Sequence, residues 1–258
     1  MNGFLFEQII FGPIKSRRLG ISLGVNLLPL NKKHCTFNCL YCECGWTLPQ
    51  TGKALFPKRE DVMEELEKKL SSMQAKNAML DAITFAGNGE PTIHPEFAEI
   101  IDDTIILRDR YYPKANISVL SNATKAGKAK VAAALHKIEQ NILKLDAGTE
   151  ETFRKINKPK INISLKEILE NLELFKGQMI IQTLFVKGTY QGEAFDNTTE
   201  EELEAWLAHL KALQPKLVMI YPIARATPAE GVEKIGPNKL WEIAQRVEAL
   251  GIATEVYN

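Results

Sequence analysis

The sequence has no excess charge of either sign, because 32 Lys and Arg residues balance 32 Asp and Glu residues in a chain of 258. Balanced charge provides no global field that would hold the protein on a nucleic-acid backbone or an anionic membrane. No apolar run approaches the roughly 20 residues that span a bilayer, and residues 1–11 show no export signal. We therefore expect a protein without membrane contact that resides in the reducing cytoplasm.

Cysteine is scarce, yet the four cysteines all lie between Cys35 and Cys44. A chain of this length buries roughly 70–75% of the surface that it exposes when unfolded, so it needs no disulfide framework. Disulfides are also not expected in the cytoplasm. The crowding of the four thiols must therefore have another explanation.

Short apolar runs alternate with amphipathic segments from about residue 58 onward, which is typical of βα units around a mainly parallel sheet. No Pro-, Ser- or Gly-rich linker divides the chain, so we expect one α/β domain over residues 1–258, an open or partial barrel. Its reactive groups should lie at the carboxyl ends of the strands. Strands are predicted over residues 19–28, 82–85, 117–120, 142–145, 179–186, 217–221 and 254–257, and helices over 60–76, 95–108 and 128–138 and after Ser164, Thr199 and Pro237.

Two of the predicted helices begin with the spacing of a capping box, in which a hydroxyl and a carboxylate three residues later bind each other's backbone N–H groups. These pairs are Ser164 with Glu167 and Thr199 with Glu202. The apolar stripes of these two helices are expected to lie in the core. The last helix is predicted to begin at Pro237, to carry an apolar series that includes Trp241, and to end at Gly251.

Cys35, Cys39 and Cys42 have the spacing C-x3-C-x2-C in a loop directly after the first predicted parallel strand. Thiolates are soft ligands that suit iron–sulfur clusters and zinc. A cubane [4Fe-4S] cluster on three thiolates leaves one iron open for a substrate or cofactor. A closed zinc site would need Cys44 or His34 as a fourth ligand, and a redox pair of Cys39 and Cys42 would leave Cys35 without a role.

The cysteine spacing, with Tyr41 directly before the third cysteine, resembles the signature of the radical S-adenosylmethionine (SAM) superfamily. A second family element, a Gly-Gly-Glu-Pro stretch after the next strand, is similar to Gly87-Asn88-Gly89-Glu90-Pro91, in which Asn88 replaces a glycine. This resemblance covers roughly residues 19–225 and implies a partial (β/α)6 barrel. The N-terminal stretch 11–26 also resembles a subgroup related to wyosine-type tRNA-modifying enzymes.

The resemblance implies that Cys35, Cys39 and Cys42 hold three irons of a [4Fe-4S] cluster while the amino and carboxylate groups of SAM chelate the fourth. It implies a SAM-binding surface with distinct parts: backbone oxygens at the turn bind the SAM ammonium, a polar strand end binds the ribose or the methionine carboxylate, and an aromatic ring lies against the adenine. The residues implied for these parts are Asn88, Gly89, Glu90 and Pro91 in the turn, with Glu90 supporting either the turn or the ammonium, Ser121 and Asn122 at the strand end, and Tyr41 at the adenine.

Polar residues in the later strands extend this candidate site. Asp146 ends the fourth predicted parallel strand, two residues after Lys144, so the two side chains either contact SAM or substrate or form an internal ion pair. Gln182 interrupts a buried apolar strand and must find partners, which favours ligand contacts inside the barrel. Arg17 and Arg18, near the expected barrel mouth, either bind phosphate or form a solvated turn.

Cys44 has no assigned role, and we favour a thiol packed beside Trp46 over a hydrogen donor or an additional metal ligand. For the whole chain we expect a radical SAM enzyme that takes electrons from an external donor such as flavodoxin or ferredoxin. Its substrate would be a tRNA or other RNA base, or alternatively a small metabolite or a peptide. A zinc-binding scaffold protein without catalysis is the competing interpretation.

Overall fold

The computed structural model describes residues 3–49 and 54–257, and helices and strands alternate within them as the sequence pattern predicts. The α/β fold class is therefore confirmed. The strands are β1 (Ile10–Ser16), β2 (Gly20–Val25), β3 (Ala82–Phe85), β4 (Asn116–Ser121), β5 (Gln140–Lys144), β6 (Ile180–Tyr190), β7 (Glu193–Asp196), β8 (Leu217–Pro222), β9 (Val232–Lys234) and β10 (Thr254–Val256). The helices are α1 (Arg59–Ala75), α2 (Phe97–Tyr111), α3 (Ala129–Leu135), α4 (Glu150–Asn157), α5 (Leu165–Glu173), α6 (Glu200–Leu213) and α7 (Pro237–Glu248), with a 3₁₀ turn at Pro91–Ile93.

One sheet connects these strands in the order β1-β2-β3-β4-β5-β6-β8-β10. Every neighbouring pair from β2 to β10 is parallel, whereas β1 pairs with β2 in the antiparallel direction. The parallel strands follow one another in chain order, as in a (β/α) barrel, but within residues 3–49 and 54–257 no pairing joins β10 back to β1 or β2. The sheet is therefore an open, partial barrel.

The sequence pattern missed β1, β7, β9 and α4. β6 continues four residues beyond its predicted end and pairs there with β7 and β9, which form a small antiparallel extension. The sequence pattern also gave no sign of α4, because four of its eight residues are charged and its apolar stripe is too short. Its start is nevertheless well defined, since the Thr149 side chain accepts a hydrogen bond from the backbone N–H of Thr152.

The predicted capping box at Ser164 is complete, whereas the one at Thr199 is half formed. Thr199 accepts from the N–H of Glu202 as predicted, but the Glu202 carboxylate turns to the loop after β5, where it accepts from the N–H of Gly148 at 2.8 Å. Glu202 thus joins α6 to a loop at the carboxyl end of the sheet. Trp241 in α7 is 52% exposed, because the buried stripe of that helix passes through Leu240 and the residues one turn later.

The two faces of the sheet belong to different apolar clusters, because successive side chains of a strand point to opposite faces. The larger cluster contains the helices and one set of strand residues, among them Ile83 and Phe85. We call the opposite face the inner face. It carries a small apolar layer made of Ala82, Ile142, Ile180, Met219 and, from the turn between β1 and β2, Leu19. The β1–β2 turn therefore fills the amino-terminal end of the partial barrel.

Candidate active site

The segment His34–Cys44, which we call the cysteine loop, is fixed against the turn that follows β3. The backbone N–H of His34 donates to the carbonyl of Asn88 at 2.8 Å, and the N–H of Glu90 donates back to the carbonyl of His34 at 3.2 Å. Gly89, with φ +139°, allows this approach, because a Cβ at that position would collide with the His34 carbonyl oxygen. The loop and the turn therefore form one unit.

A cavity of about 190 Å³ lies between the cysteine loop and the carboxyl ends of β3, β4 and β5, and Gln182 near the start of β6 also lines it. All four cysteines face it, together with backbone from the turn after β3 and polar side chains from the strand ends. Its lining consists of Lys33, Cys35, Phe37, Cys39, Tyr41, Cys42, Cys44, Ala86, Gly87, Gly89, Glu90, Leu120, Ser121, Asn122, Lys144 and Gln182.

N–H donors lie beside the sulfurs of Cys35 and Cys39. The side-chain amide of Asn122 lies 3.6 Å from the Cys35 sulfur, which also accepts from the backbone N–H of Phe37 at 3.5 Å. The side-chain amide of Asn157 lies 3.5 Å from the Cys39 sulfur. Hydrogen bonds to ligating sulfurs are one of the means by which proteins set the potential of an iron–sulfur cluster.

Glu90 connects two strand ends beneath the cavity. Its buried carboxylate accepts from the backbone N–H of Thr92 at 3.1 Å, from the hydroxyl of Ser121 at 2.8 Å and from the N–H of Asn122 at 2.6 Å. Burial nevertheless raises the pKa of this carboxyl above its ordinary value, in opposition to these hydrogen bonds. Glu90 therefore holds the turn after β3 to the end of β4.

Asp146 is fully buried and bonded on both oxygens. One oxygen accepts from the backbone N–H of Leu184 at 3.0 Å, and the other accepts from Asn157 at 2.9 Å, from the Tyr41 hydroxyl and from Lys144 at 3.2 Å. Burial is the largest influence on the pKa of Lys144 and lowers it, but Asp146, Tyr221 and Cys39 together outweigh burial and the pKa is raised. The two residues therefore form the internal ion pair that was one of the two predicted alternatives.

Comparison with known proteins decides the family. The model of the radical SAM superfamily matches residues 33–214, which include the cysteine loop and the turn after β3. The chain belongs to the radical SAM superfamily. The resemblance predicted from the cysteine spacing is confirmed, and the chain falls in an enzyme class whose cofactors are a [4Fe-4S] cluster and SAM.

A UPF0026 protein of Helicobacter pylori is 31% identical over 220 residues, which make up 84% of this chain and 67% of that protein. Across three curated relatives the chain spans from 57% to 67% of their length.

Solved structures of other proteins have the same fold at low identity. A radical SAM methyltransferase from Sphaerobacter thermophilus aligns with 92% of this chain and 65% of its own at a TM-score of 0.64 and 15% identity. TYW1 with a lysine–pyruvate adduct aligns with 88% of this chain and 73% of its own, at a TM-score of 0.61 and 15% identity. At such identities the likeness concerns the fold.

The residues of this radical SAM chain fit a cluster better than a single ion. Within residues 3–49 and 54–257, no three His, Cys, Asp or Glu side chains lie close enough together to hold one metal ion. The sulfurs of Cys35, Cys39 and Cys42 instead line a shared space, with amide donors facing two of them. Thiol ligands around a space, with N–H groups on the sulfurs, suit a polynuclear iron–sulfur group.

The cavity brings together most, but not all, of the predicted site residues. Its wall contains the three cluster cysteines with Tyr41, Gly89, Glu90, Ser121, Asn122 and Gln182. Asn88 and Pro91 lie outside it, and the Asn88 side chain instead bonds to the carbonyls of Phe6 and Pro29. Asp146 also lies outside, behind Tyr41 and Lys144. The binding roles assigned to all of these residues stay predictions.

Lys33 is a member of the cavity wall that the sequence analysis missed. Its side chain is buried, and its ammonium donates to the carbonyl of Gly45 at 2.8 Å. Burial alone would lower the pKa of Lys33, but the sulfurs of Cys42, Cys35 and Cys39 outweigh burial and raise it. A buried cation beside three thiols favours their thiolate form, which is the form that binds metal. In the sequence, the only sign of a role for Lys33 is its position two residues before Cys35.

Cys44 also faces the cavity, which the sequence analysis did not expect. Its sulfur lies 3.4 Å from the carbonyl oxygen of Gly87. Trp46, the predicted neighbour of this thiol, lies beside Tyr190 with 5.8 Å between the ring centroids. Cys44 therefore contacts the turn after β3.

Proposed function

We propose that this chain binds a [4Fe-4S] cluster through Cys35, Cys39 and Cys42 and uses it to act on SAM and a second substrate. When bound and reduced, such a cluster would supply the electron that cleaves the SAM sulfonium to methionine and a 5′-deoxyadenosyl radical, which would take a hydrogen atom from the substrate. The observation that carries this proposal is the shared cavity, in which three thiols face the glycine-containing turn after β3.

The chain's own residues bind and orient in this scheme. The cysteine loop presents three sulfurs, and Lys33 offsets their negative charge. The turn at Gly87–Glu90 offers backbone groups to the SAM ammonium, and Glu90 fixes that turn through its bonds to Ser121 and Asn122. Apolar walls at Phe37 and Leu120 exclude water, which protects a reactive intermediate from side reactions.

Lys144 and Asp146 hold Tyr41 in place rather than move protons. The Tyr41 hydroxyl donates to Asp146 and accepts from Lys144 at 2.7 Å. Burial, followed by the charge of Asp146, raises the pKa of Tyr41, so the phenol keeps its proton at neutral pH. A fixed aromatic ring next to the cavity supports the predicted contact of Tyr41 with the adenine of SAM.

The sequence resemblance favours an RNA base as the substrate, with a small metabolite or a peptide as the alternatives. One structural feature favours the small metabolite. Two exposed cations are paired with carboxylates, Arg225 with Glu43 and Lys187 with Glu233. Such pairing reduces the positive charge that these two residues offer to an RNA backbone.

The remaining parts of the proposal concern the setting of the reaction. An external electron donor such as flavodoxin or ferredoxin reduces the cluster, and thiolate ligands require a reducing compartment, for which we propose the cytoplasm. Among the described residues no helix is long and apolar enough to cross a membrane. We also propose a single domain over residues 1–258, supported by the one sheet that connects its strands.

Anaerobic reconstitution with iron and sulfide tests the proposal. The expected product has about four irons per chain, a broad absorbance in the blue region, and converts SAM to 5′-deoxyadenosine after reduction with dithionite. A preparation that binds one zinc tightly and leaves SAM intact would support the scaffold interpretation instead.

A further inference from the structure

The inner face of the sheet carries a polar layer between its small apolar layer and the cavity. Lys144, Gln182 and Tyr221 each lie two residues after a member of the apolar layer, on the same face of neighbouring strands. Two of them, Lys144 and Gln182, also line the cavity. This polar layer therefore forms the floor of the cavity, which a molecule that binds beside SAM would contact.

Arg18 reaches this floor from the β1–β2 turn. One of its guanidinium nitrogens donates to the side-chain oxygen of Gln182 at 3.1 Å, and the guanidinium lies over the Tyr221 ring at 4.6 Å from the centroid. The neighbouring Leu19 packs in the small apolar layer, and this packing fixes the turn inside the barrel. The expectation that Arg17 and Arg18 lie together near the barrel mouth was wrong, because Arg18 points inward and the turn lies at the amino ends of the strands.

The guanidinium faces neutral partners. Within the described residues, no carboxylate forms an ion pair with Arg18, and the side chain is half-buried. The charge of Arg18 acts on the phenol of Tyr257, whose hydroxyl donates to the Glu255 carboxylate. Asp146, beside Lys144 on the same face, is already bonded to four donors. A half-buried cation without a counter-ion is costly, and an anion in contact with it removes that cost.

We propose that Arg18, together with Gln182, binds the carboxylate or phosphate group of a small substrate inside the barrel. This proposal rests on the proposed function and adds the chemical class of the second substrate. The guanidinium offers a planar pair of N–H donors that matches the oxygens of a carboxylate or phosphate. On binding, the N–H that now donates to Gln182 would donate to a ligand oxygen. An RNA backbone does not fit this position, because the site lies inside the barrel, beneath the cavity.

Isothermal titration of the reconstituted holoenzyme, saturated with SAM, tests the proposal with orthophosphate and acetate as probes. The wild type is expected to bind at least one of them, and the preferred probe distinguishes phosphate from carboxylate. Arg18→Gln should weaken that binding by about tenfold or more, which is the size expected for a charge-assisted hydrogen bond. Arg18→Lys keeps the charge but loses the paired donors, so it should bind with intermediate affinity.

Arg17→Gln is the matched control, since Arg17 is the exposed neighbour on the same turn. It should bind the anion, SAM and iron like the wild type. The proposal is overturned if neither anion binds the wild type or if Arg18→Gln binds the anion as tightly as the wild type does. It is also overturned if Arg17→Gln loses as much affinity as Arg18→Gln, because that result would indicate an RNA or ion site on the exposed surface of the turn. If Arg18→Gln loses iron, the substitution has disturbed the fold. In that case the anion titration of Arg18→Lys, compared with the wild type, tests the proposal.

The same preparations separate this proposal from the proposed function. Formation of 5′-deoxyadenosine by the wild type without added substrate tests the proposed function by itself, and the exposed-site variant Arg17→Gln should match it. If SAM is cleaved and the anion titrations do not differ, only the substrate inference fails. If the wild type does not cleave SAM, the proposed function fails.

Discussion

Individual side chains around the cavity have separable roles. Cys39 is buried and its sulfur lies near an amide donor, whereas Cys44 is partly exposed and contacts a backbone carbonyl. The sequence alone identified the three cysteines, because their spacing is a strong local signal. It could not identify Asn157 or Lys33, whose roles depend on contacts between distant segments.

Alanine at Cys39 should abolish cluster binding. Removal of one of three thiolates leaves an iron without its protein ligand, so iron content and blue absorbance after reconstitution should fall to near background. Cys44→Ala is the control and should keep about four irons per chain. A full cluster in Cys39→Ala, or its loss in Cys44→Ala, would contradict the assignment of the three ligands.

Asp146→Ala should destabilise the fold by roughly 3–5 kcal/mol, because it leaves the buried Lys144 without its partner. Urea unfolding of the cluster-free protein measures this change. Glu170→Ala removes an exposed partner of Lys166 and should leave the unfolding midpoint unchanged. An equally small effect at Asp146 would show that the internal pair does not hold this part of the sheet.

At the scale of elements, the contacts between loops position the site more than any helix does. Hydrophobic periodicity located α1, α2, α5, α6 and α7 to within a few residues, because each buries a long apolar stripe. Periodicity could not show that β6 continues past the sheet, since its last residues are held by β7 and β9. It also could not show that the Glu202 side chain bonds to the loop after β5 rather than to its own helix.

Gly89→Ala should disrupt the contact between the cysteine loop and the turn after β3. A Cβ at φ +139° is strained and collides with the His34 carbonyl, so the loop must move away. We expect at least a tenfold weaker affinity for SAM, measured by equilibrium binding to the reconstituted protein. Gly236→Ala adds a methyl group in open space and should leave SAM affinity unchanged. Equal affinity in both variants would contradict the role of this turn.

At the scale of the whole molecule, the partial barrel brings distant segments to one cavity. The number and order of the parallel strands follow from the alternation of apolar runs and amphipathic helices. The turn between β1 and β2, in contrast, looks in sequence like a solvated basic patch, and only the packing of Leu19 inside the barrel turns Arg18 inward. Long-range packing of this kind has no local sequence signal.

The central claim is that three thiolates leave one iron of the cluster open and that SAM completes its coordination. Mössbauer spectroscopy of protein that is reconstituted anaerobically with ⁵⁷Fe in all four sites tests this claim directly. The account predicts that one iron site out of four changes its isomer shift when SAM is added, while the other three stay the same. Four equivalent irons, each capped by a side chain and unaffected by SAM, would contradict it.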